Sequence, residues 1–323
     1  VSVYTYQRIK NHVDNINSAI GHIKLRELKL LDIIGNDKSS PKIKGLRQIA
    51  LEKLSDQTII NMESCLKGAL NDGIARKFLA ENPMFKYRRH KKPILDDDDT
   101  NVQFFTPKEQ EILLKSALEY SNGKRIRNFS ERRDKDLRWF IRIFLGLSTG
   151  LRSGEISALT WKKINLSEGT LKVNRSVHYA EGDTKGEWKD PKTKKSYRTI
   201  KLDKPTIKEL ESYKIWVKEK LLKIGMKLGD FPTLPVIFSD DFKLLHRSQA
   251  RKIWDTIVKQ AGLDHRGFHS LRHTHASNLI CDGYPMELVS KRLGHSSIQI
   301  TIDTYTHIYE EYQNKVAGEL SHG

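Results

Sequence analysis

Apolar residues recur at helical spacing through the first third of the chain. The two clearest sets are Ile16, Ile20 and Ile23, and then Ile59, Met62, Leu66 and Leu70. Side chains three or four positions apart share one face of an α-helix, so each set predicts an amphipathic helix. Ser55, with Thr58 three residues later, predicts the start of the second helix, and Gly73 followed by Asn82 and Pro83 predicts its end. A small helical bundle is expected here.

A second helical region is predicted to start at residue 106. Thr106, Pro107 and Glu109 supply a capping residue, a first-turn proline and a glutamate three positions after the cap. Between residues 171 and 202 the spacing changes to alternation, as in Leu171 and Val173, which predicts a small antiparallel sheet. Helices are predicted again over 139–147, 206–224, 247–261, 269–282 and 285–293. The fold class is therefore expected to be mainly α (α+β), with a helical bundle and a mostly helical second domain.

The composition changes abruptly between these two parts. A basic run ends at Pro93 and is followed by four aspartates, Asp96 to Asp99. Proline disfavours helix in the residue before it, and runs of like charge stay extended. The chain is expected to divide into a helical domain over residues 1–92, a linker over 93–104, and a larger domain over 105–323 that ends in a tail helix.

Both parts of this 323-residue chain carry a surplus of positive charge. Lys and Arg number 57 against 40 Asp and Glu, which gives a net charge of +17. Residues 1–95 hold 18 basic and 9 acidic residues, and residues 96–323 hold 39 and 31. Two basic lobes on a flexible joint favour a polyanionic partner such as a nucleic-acid duplex. A merely solvated lysine-rich surface is the alternative.

The sequence lacks the features of a membrane or secreted protein. There is no long uncharged apolar stretch and no signal-peptide pattern, so a soluble, cytoplasmic protein without a membrane partner is expected. The two cysteines, Cys65 and Cys281, cannot form a disulfide framework and are expected to be buried as small apolar residues. Because residue 1 is Val rather than Met, the chain is expected to be a fragment of a longer protein.

Arg152 lies in a segment suited to anion binding. It follows Gly150, which is expected to free a turn, and it precedes a predicted helix. A guanidinium group at a helix start can grip two phosphate oxygens while backbone amides add positive potential. Glu155, three residues later, is placed to hold the arginine. The alternative is an ordinary surface ion pair between Arg152 and Glu155.

His269 and Arg272 form a second candidate site. They are three residues apart, so on a helix they share a face and can both reach one anion. A zinc site is the alternative, because His265, His269 and His273 step by four. The pattern lacks the glutamate of a His-Glu-x-x-His motif, and Gly267 is expected to precede the helix, so an anion site is favoured.

A third cluster contains Gly294 and His295 and, ten residues after the histidine, Tyr305. A tyrosine near a helix usually packs in a core. With two arginines and two histidines in the other clusters, its phenol, which has an ordinary pKa of about 10, becomes a candidate nucleophile for a phosphodiester. Nearby positive groups are expected to lower the free energy needed to form the phenolate.

In this order, the motifs resemble the catalytic signature of the tyrosine recombinases, the integrases of phages and conjugative transposons. The resemblance covers residues 152–305, whereas the first domain is similar to the family's core-site-binding domain in size, helical pattern and charge. The resemblance implies double-stranded DNA as the partner and two domains that form a C-shaped clamp on it.

The resemblance also implies roles for the residues around the scissile phosphate. Arg152 and Arg272 would hold its non-bridging oxygens, and Glu155 would orient the arginines. Tyr305 would attack the phosphorus, which forms a 3′-phosphotyrosyl link and frees a 5′-hydroxyl. The bond energy is retained for rejoining, so no metal or nucleotide cofactor is required.

Histidines and a lysine would complete the reaction. His269 would act as acid and base near the tyrosine, and His295 would donate a hydrogen bond to the phosphate. A lysine in the hairpin would protonate the leaving 5′-oxygen. Lys192 fits the family pattern best, with Lys194 and Lys195 as alternatives. A further alternative is that the hairpin only touches the DNA backbone and supplies no catalytic lysine.

The resemblance also implies an oligomeric state, namely a monomer off DNA and a homotetramer on paired DNA sites. It implies association with the nucleoid and an accessory DNA-bending or directionality protein as a partner. Finally, it implies a further arm-site-binding domain. Four residues of the terminal helix share one face, namely Ile308, Tyr312, Val316 and Leu320. This stripe either folds back as core or docks on a neighbouring protomer.

The predicted function is that of a site-specific recombinase that integrates and excises a mobile element. A type IB topoisomerase uses much of the same chemistry without pairing two sites, and a DNA-binding regulator would keep the fold without the reaction. The topoisomerase predicts relaxation of a plasmid that lacks any specific site, and the regulator predicts DNA binding without a covalent adduct.

Overall fold

A computed structural model describes residues 3–35, 45–87, 103–122, 136–179, 186–189 and 197–320. The chain divides into two compact units, residues 1–96 and 97–323. None of the helices in the described part of the chain is long and apolar enough to cross a bilayer.

The regular secondary structure in the described residues of the first unit is all helical. Its helices are α1 (Val3–Ile20), α2 (Leu30–Ile34), α3 (Leu46–Leu51) and α4 (Asp56–Ala75). Ser55 caps α4, because its side chain accepts a hydrogen bond from the Thr58 amide, as the sequence predicts. The core of the unit contains the predicted apolar sets, with Ile59 and Met62 fully buried.

The predicted end of α4 is wrong at Gly73. The helix continues to Ala75, and Gly73 is buried inside it against the side chain of Leu79. A helical glycine loses only about 1 kcal/mol relative to alanine, so close packing can keep it within the helix. The two cysteines also differ from the prediction, because Cys65 is half-buried and Cys281 is exposed.

The second unit is mostly helical. Its helices are α5 (Pro107–Ser121), α6 (Arg138–Thr149), α7 (Ser153–Ala158), α8 (Lys204–Lys223), α9 (Arg247–Gln260), α10 (Ser270–Cys281), α11 (Met286–Leu293) and α12 (Ile298–Leu320). The predicted capping pattern at residue 106 is confirmed: the Thr106 hydroxyl accepts from the Glu109 amide, and the Glu109 carboxylate accepts from the Thr106 amide. The predicted helices over 247–261, 269–282 and 285–293 are confirmed to within a residue.

The sequence predicts one small antiparallel sheet, and the described residues form two, one of three strands and one of two. The strands are β1 (Ile164–Asn165), β2 (Thr170–Val173), β3 (Ser176–His178), β4 (Glu187–Lys189) and β5 (Arg198–Lys201). β2 lies between β1 and β5, with Leu171 opposite Ile200 and Val173 opposite Arg198. Apolar side chains of β2 are buried while Lys172 is exposed, so one face of this sheet packs on the core.

A large core joins α5, α6, α8 and α9, and a second, smaller cluster lies next to it under α10, α11 and α12. The smaller cluster consists of Ala276, Ile280, Val289, Leu293, Tyr305 and Ile308. Ile308 is therefore packed as core, whereas the side chains of Tyr312, Val316 and Leu320 lie outside the described residues. This packing brings the start of α10, the end of α11 and the first turns of α12 to one place.

Candidate active site

Five of the sequence-predicted site residues in the second unit line one cavity. It has a volume of about 410 Å³. Its lining includes Arg152, His269, Arg272, His295 and Tyr305, which come from four different helices or their ends. Lys192 and its alternatives Lys194 and Lys195 lie outside the described residues.

Gly150 makes the turn that introduces Arg152. Gly150 follows α6 in the left-handed conformation, with φ of +66°, and a Cβ there would lie 2.7 Å from side-chain atoms of His275 and Leu293. Arg152 is the residue before α7, as its sequence context predicts. The turn also exposes the Gly150 carbonyl, which accepts a hydrogen bond from Nη1 of Arg272 at 2.9 Å.

Arg272 is buried although it lines the cavity. Only 2% of the residue is exposed, and its Nη2 has no hydrogen-bond partner within the described structure. Burial, together with the charge of Arg152, lowers the pKa of Arg272 to about 9, so the guanidinium stays protonated at neutral pH. An unpaired buried donor costs about 1–3 kcal/mol, and a bound anion would remove that penalty.

Glu155 joins two arginines rather than one. Its Oε1 accepts from Arg152 Nη1 at 3.1 Å, and its two oxygens accept from the guanidinium of Arg198 at 3.0 and 2.9 Å. The Glu155 carboxylate also accepts from the Arg152 amide. The expected support of Arg152 is therefore present, but the pair is not an ordinary surface ion pair, because Glu155 is only 7% exposed.

Arg198 is a site residue that sequence reasoning missed. It lies on β5, far along the chain from Glu155, and its Nε also donates to the Arg292 carbonyl at 2.8 Å. The available signal was Arg198-Thr199-Ile200, which follows the hairpin lysines and fits the Arg-x-Ile strand of the family pattern. Arg198 on β5 thus connects the three-stranded sheet to Glu155 on α7 and to the carbonyl of Arg292 near the end of α11.

The Glu155 carboxylate is expected to be a major contributor to stability. Burial raises its pKa, but hydrogen bonds and charge from Arg198 and the Arg152 amide outweigh burial and lower it overall. A lowered folded-state pKa gives stability that is present above the unfolded pKa of about 4.3 and is lost as pH falls through the folded value. Glu155→Gln should therefore lower the free energy of unfolding by about 3–5 kcal/mol at neutral pH.

Urea unfolding at several pH values tests this expectation. The difference between wild type and Glu155→Gln should be constant near neutrality and shrink as pH falls below about 4.3. Glu287→Gln is the matched control, since Glu287 pairs with Lys291 on the exposed face of α11 and should show no measurable change. Equal stability of wild type and Glu155→Gln at neutral pH would contradict the role given to this carboxylate.

His295 is placed by the end of α11. Gly294 adopts the left-handed conformation, with φ of +71°, and the His295 amide donates back to the Ser290 carbonyl at 3.1 Å. His295 Nδ1 lies 2.7 Å from the Thr301 hydroxyl. Burial and the charges of Arg272 and Arg152 lower the pKa of His295 to about 4, so the ring is neutral. If the hydroxyl donates to Nδ1, Nε2 carries the proton and can donate into the cavity.

His269 stands at the start of α10 and lines the same cavity as Arg272, three residues later. Burial, with His273, Arg272 and Arg152 nearby, lowers the pKa of His269 to about 4. His265, the first histidine of the zinc alternative, does not line the cavity; its side chain is 62% exposed and lies 2.9 Å from Asp255. Across the described residues, no group of three His, Cys, Asp or Glu side chains is placed to hold a metal ion.

Tyr305 is buried at the back of the cavity, with 1% of the residue exposed. Burial raises its pKa to about 12, although Arg272 and Arg152 act in the opposite direction. The expectation that positive groups would ease phenolate formation is thus outweighed by desolvation. The hydroxyl lies 2.8 Å from Nδ1 of His273, a neighbour that sequence reasoning considered only as a metal ligand.

At neutral pH the cavity carries a net positive charge. Among the described residues that line it, Arg152 and Arg272 are charged, His269 and His295 are neutral, and none is a carboxylate. Glu155, which pairs with Arg152 and Arg198, lies outside this lining. A concave, positively charged site with convergent donors is suited to one phosphodiester group and not to a free cation.

Comparison with known proteins agrees with this geometry. Residues 104–312 match the phage integrase family. The chain belongs to this family. The match confirms the resemblance to tyrosine recombinases that the order of the motifs indicated.

Relatives of this integrase-family chain include recombinases and integrases of mobile elements. A XerC-like tyrosine recombinase of Caldanaerobacter subterraneus subsp. tengcongensis is 29% identical over 275 residues, which are 83% of this chain and 66% of that protein. The ICEBs1 integrase of Bacillus subtilis is 31% identical over 181 residues, 53% of this chain and 45% of the relative. The chain thus spans two thirds or less of the length of these relatives.

Solved structures share the fold of this integrase-family chain. The Tn1549 transposon integrase in complex with transposon right end DNA has a TM-score of 0.64 and 21% identity, covering 85% of this chain and 82% of that one. A lambda integrase dimer bound to a core site has a TM-score of 0.63 and 17% identity, covering 93% and 90%. The mainly helical fold class with small antiparallel sheets is confirmed.

Proposed function

We propose that this chain is a site-specific DNA recombinase that cleaves and rejoins strands through a 3′-phosphotyrosyl intermediate on Tyr305. The observation that carries the proposal is the cavity in which Tyr305 and two arginine side chains, Arg152 and Arg272, face the same space. The mobile-element relatives support integration and excision of such an element as the biological task.

In the proposed reaction, the arginines act on charge that develops at phosphorus. Arg152 and the unpaired Nη2 of Arg272 would bind the two non-bridging oxygens, which become more negative in the pentacoordinate transition state. His269 would act as acid and base near Tyr305, and His295 would add a hydrogen bond through Nε2. Glu155 positions Arg152 without touching the substrate.

The leaving 5′-oxygen needs a proton. We assign this role to Lys192, with Lys194 and Lys195 as alternatives, on the family pattern of the hairpin sequence. The net charge of the chain supports double-stranded DNA as the partner, with residues 1–92 as a core-site-binding domain, residues 93–104 as a linker and residues 105–323 as the catalytic domain. A homotetramer on paired sites, with an accessory DNA-bending or directionality protein, completes the proposal.

A covalent-trapping experiment tests the proposed function. The chain is incubated with a pool of nicked duplexes whose central sequence is randomised. Cleavage near the nick releases a short 5′-hydroxyl fragment, which prevents rejoining and traps the intermediate. We expect a protein–DNA band that survives denaturation, and peptide mapping should place the adduct on the segment between Arg292 and Lys315.

The alternatives give different results in the same assay. A DNA-binding regulator would retard the duplexes in a native gel without a covalent band. A type IB topoisomerase would form the band and relax plasmids, but two plasmids carrying the recovered sequence would not recombine. Either result would overturn the proposed function.

A further inference from the structure

The hydroxyl of Tyr305 is held by a histidine outside the set that the family resemblance marks. Nδ1 of His273 lies 2.8 Å from Tyr305 Oη, and the centroids of the two rings are 5.8 Å apart. His269 instead lies edge-on to His273, with ring centroids 4.8 Å apart. Among the described residues, His273 is therefore the side chain that shares a hydrogen bond with the Tyr305 hydroxyl.

We propose that His273 is a further catalytic residue, whose Nδ1 accepts the phenolic proton of Tyr305 while Oη attacks the scissile phosphorus. This inference rests on the proposed function, because it assigns a step within that reaction. In this assignment His269 does not accept the phenolic proton and instead interacts with the oxygens of the scissile phosphate.

The position of His273 in the fold favours this role. His269 and His273 lie one turn apart on the same face at the start of α10, and both line the cavity with Arg152 and Arg272. Burial and the charge of Arg272 lower the pKa of His273, so its imidazole is neutral near pH 7 and has one free lone pair. With the ring proton on Nε2, Nδ1 is the atom that accepts.

The proposed step balances in protons and electrons. The Oη–phosphorus bond forms as the bond from phosphorus to the 5′-oxygen breaks. The phenolic proton moves to Nδ1 of His273, and the departing 5′-oxygen receives a different proton from the lysine. The resting phenol, with its pKa raised to about 12, becomes far more acidic once Oη bonds to phosphorus, so proton transfer accompanies bond formation. In rejoining, the imidazolium returns the proton to the departing tyrosine.

A purely structural hydrogen bond is the simpler explanation, because a buried phenol needs an acceptor. The Tyr305 ring is held in the small core by apolar residues, among them Ala276, Leu293 and Ile308. A backbone carbonyl or an amide oxygen would satisfy the hydroxyl equally well, but neither could take up its proton. Its placement against an imidazole on the cavity wall indicates a chemical role.

The role of His273 is tested by measuring single-turnover cleavage of a nicked duplex that carries the sequence recovered in the covalent-trapping experiment. His273→Asn keeps an acceptor oxygen close to the position of Nδ1 but cannot take up a proton at neutral pH. Its cleavage rate should fall by about 10²–10⁴-fold, with DNA affinity and melting temperature unchanged. His265→Asn is the matched control, since His265 is exposed on the surface and should leave the rate unchanged.

A fluorinated tyrosine at position 305 separates proton transfer from positioning. Fluorine lowers the pKa of the phenol, so the attack depends less on a base, and the defect of His273→Asn should shrink by about tenfold or more. If His273→Asn cleaves at the wild-type rate, or if its defect is the same with either tyrosine, His273 only packs or positions and the inference is wrong. If the asparagine variant melts below the assay temperature, both cleavage rates are compared at a lower temperature at which it is folded. Failure of the wild-type chain to form any adduct would refute the proposed function instead.

Discussion

Replacing Tyr305 by phenylalanine is expected to abolish the covalent DNA adduct completely while leaving DNA binding intact. The substitution removes one oxygen, the atom that we propose to bond to phosphorus, and keeps the ring in the cluster formed by α10, α11 and α12. The loss of its hydrogen bond to His273 should lower the free energy of unfolding by about 1 kcal/mol. Denaturing gels measure the adduct, and native gels measure binding of the same duplex.

Tyr309→Phe is the matched control for this prediction. Tyr309 lies one turn later on α12 and is 42% exposed, so its hydroxyl is outside the buried cluster. This variant should form the adduct at the wild-type rate. An adduct that persists in Tyr305→Phe and disappears in Tyr309→Phe would move the nucleophile to the other tyrosine and contradict the proposed geometry.

The helices and their ends are the part of the fold that local sequence predicts well. The capping contacts of Ser55 with Thr58, and of Thr106 with Glu109, join residues three positions apart, so the side chains meet whenever the helix forms. Gly73 shows the limit of this reasoning. The glycine is buried and α4 continues two residues past it to Ala75, because a helical glycine loses only about 1 kcal/mol relative to alanine.

Contacts in the site between residues close in sequence could be predicted, whereas contacts between residues far apart in sequence could not. Arg152 and Glu155 are three residues apart, and their contact was expected. Arg198 reaches Glu155 from another strand, and His273 reaches Tyr305 from another helix, so both contacts exist only after the chain folds. Only tertiary structure reveals such pairs.

The direction of the Tyr305 pKa could not be obtained from sequence either. The sequence shows that positive side chains accompany the tyrosine, and these do favour the phenolate. It does not show that the phenol is almost entirely removed from water, and in this site desolvation is the larger effect. A buried, protonated nucleophile therefore needs a proton acceptor, which gives the contact with His273 its significance.

Arg272→Lys is expected to reduce the single-turnover cleavage rate by at least about 10³-fold, because several donors aimed at the developing charge are lost together. Arg272 lines the cavity, and its guanidinium donates from Nη1 to the Gly150 carbonyl at 2.9 Å. Its Nη2 has no hydrogen-bond partner among the described residues. A lysine ammonium keeps the positive charge but cannot contact the carbonyl and a phosphate oxygen in this fixed geometry. A large loss with the charge retained would show that geometry, and not charge alone, stabilises the transition state.

Arg266→Lys is the appropriate control, since Arg266 is a partly buried arginine of the same unit that pairs with Glu109 at 2.8 Å, away from the cavity. That change should lower the melting temperature modestly and leave the cleavage rate unchanged. DNA affinity of Arg272→Lys should stay near the wild-type value, because most of the affinity comes from the many phosphate contacts of a basic surface. If Arg272→Lys cleaves as fast as Arg266→Lys, the unpaired Nη2 does not bind the scissile phosphate, and the proposed arrangement of the two arginines is wrong.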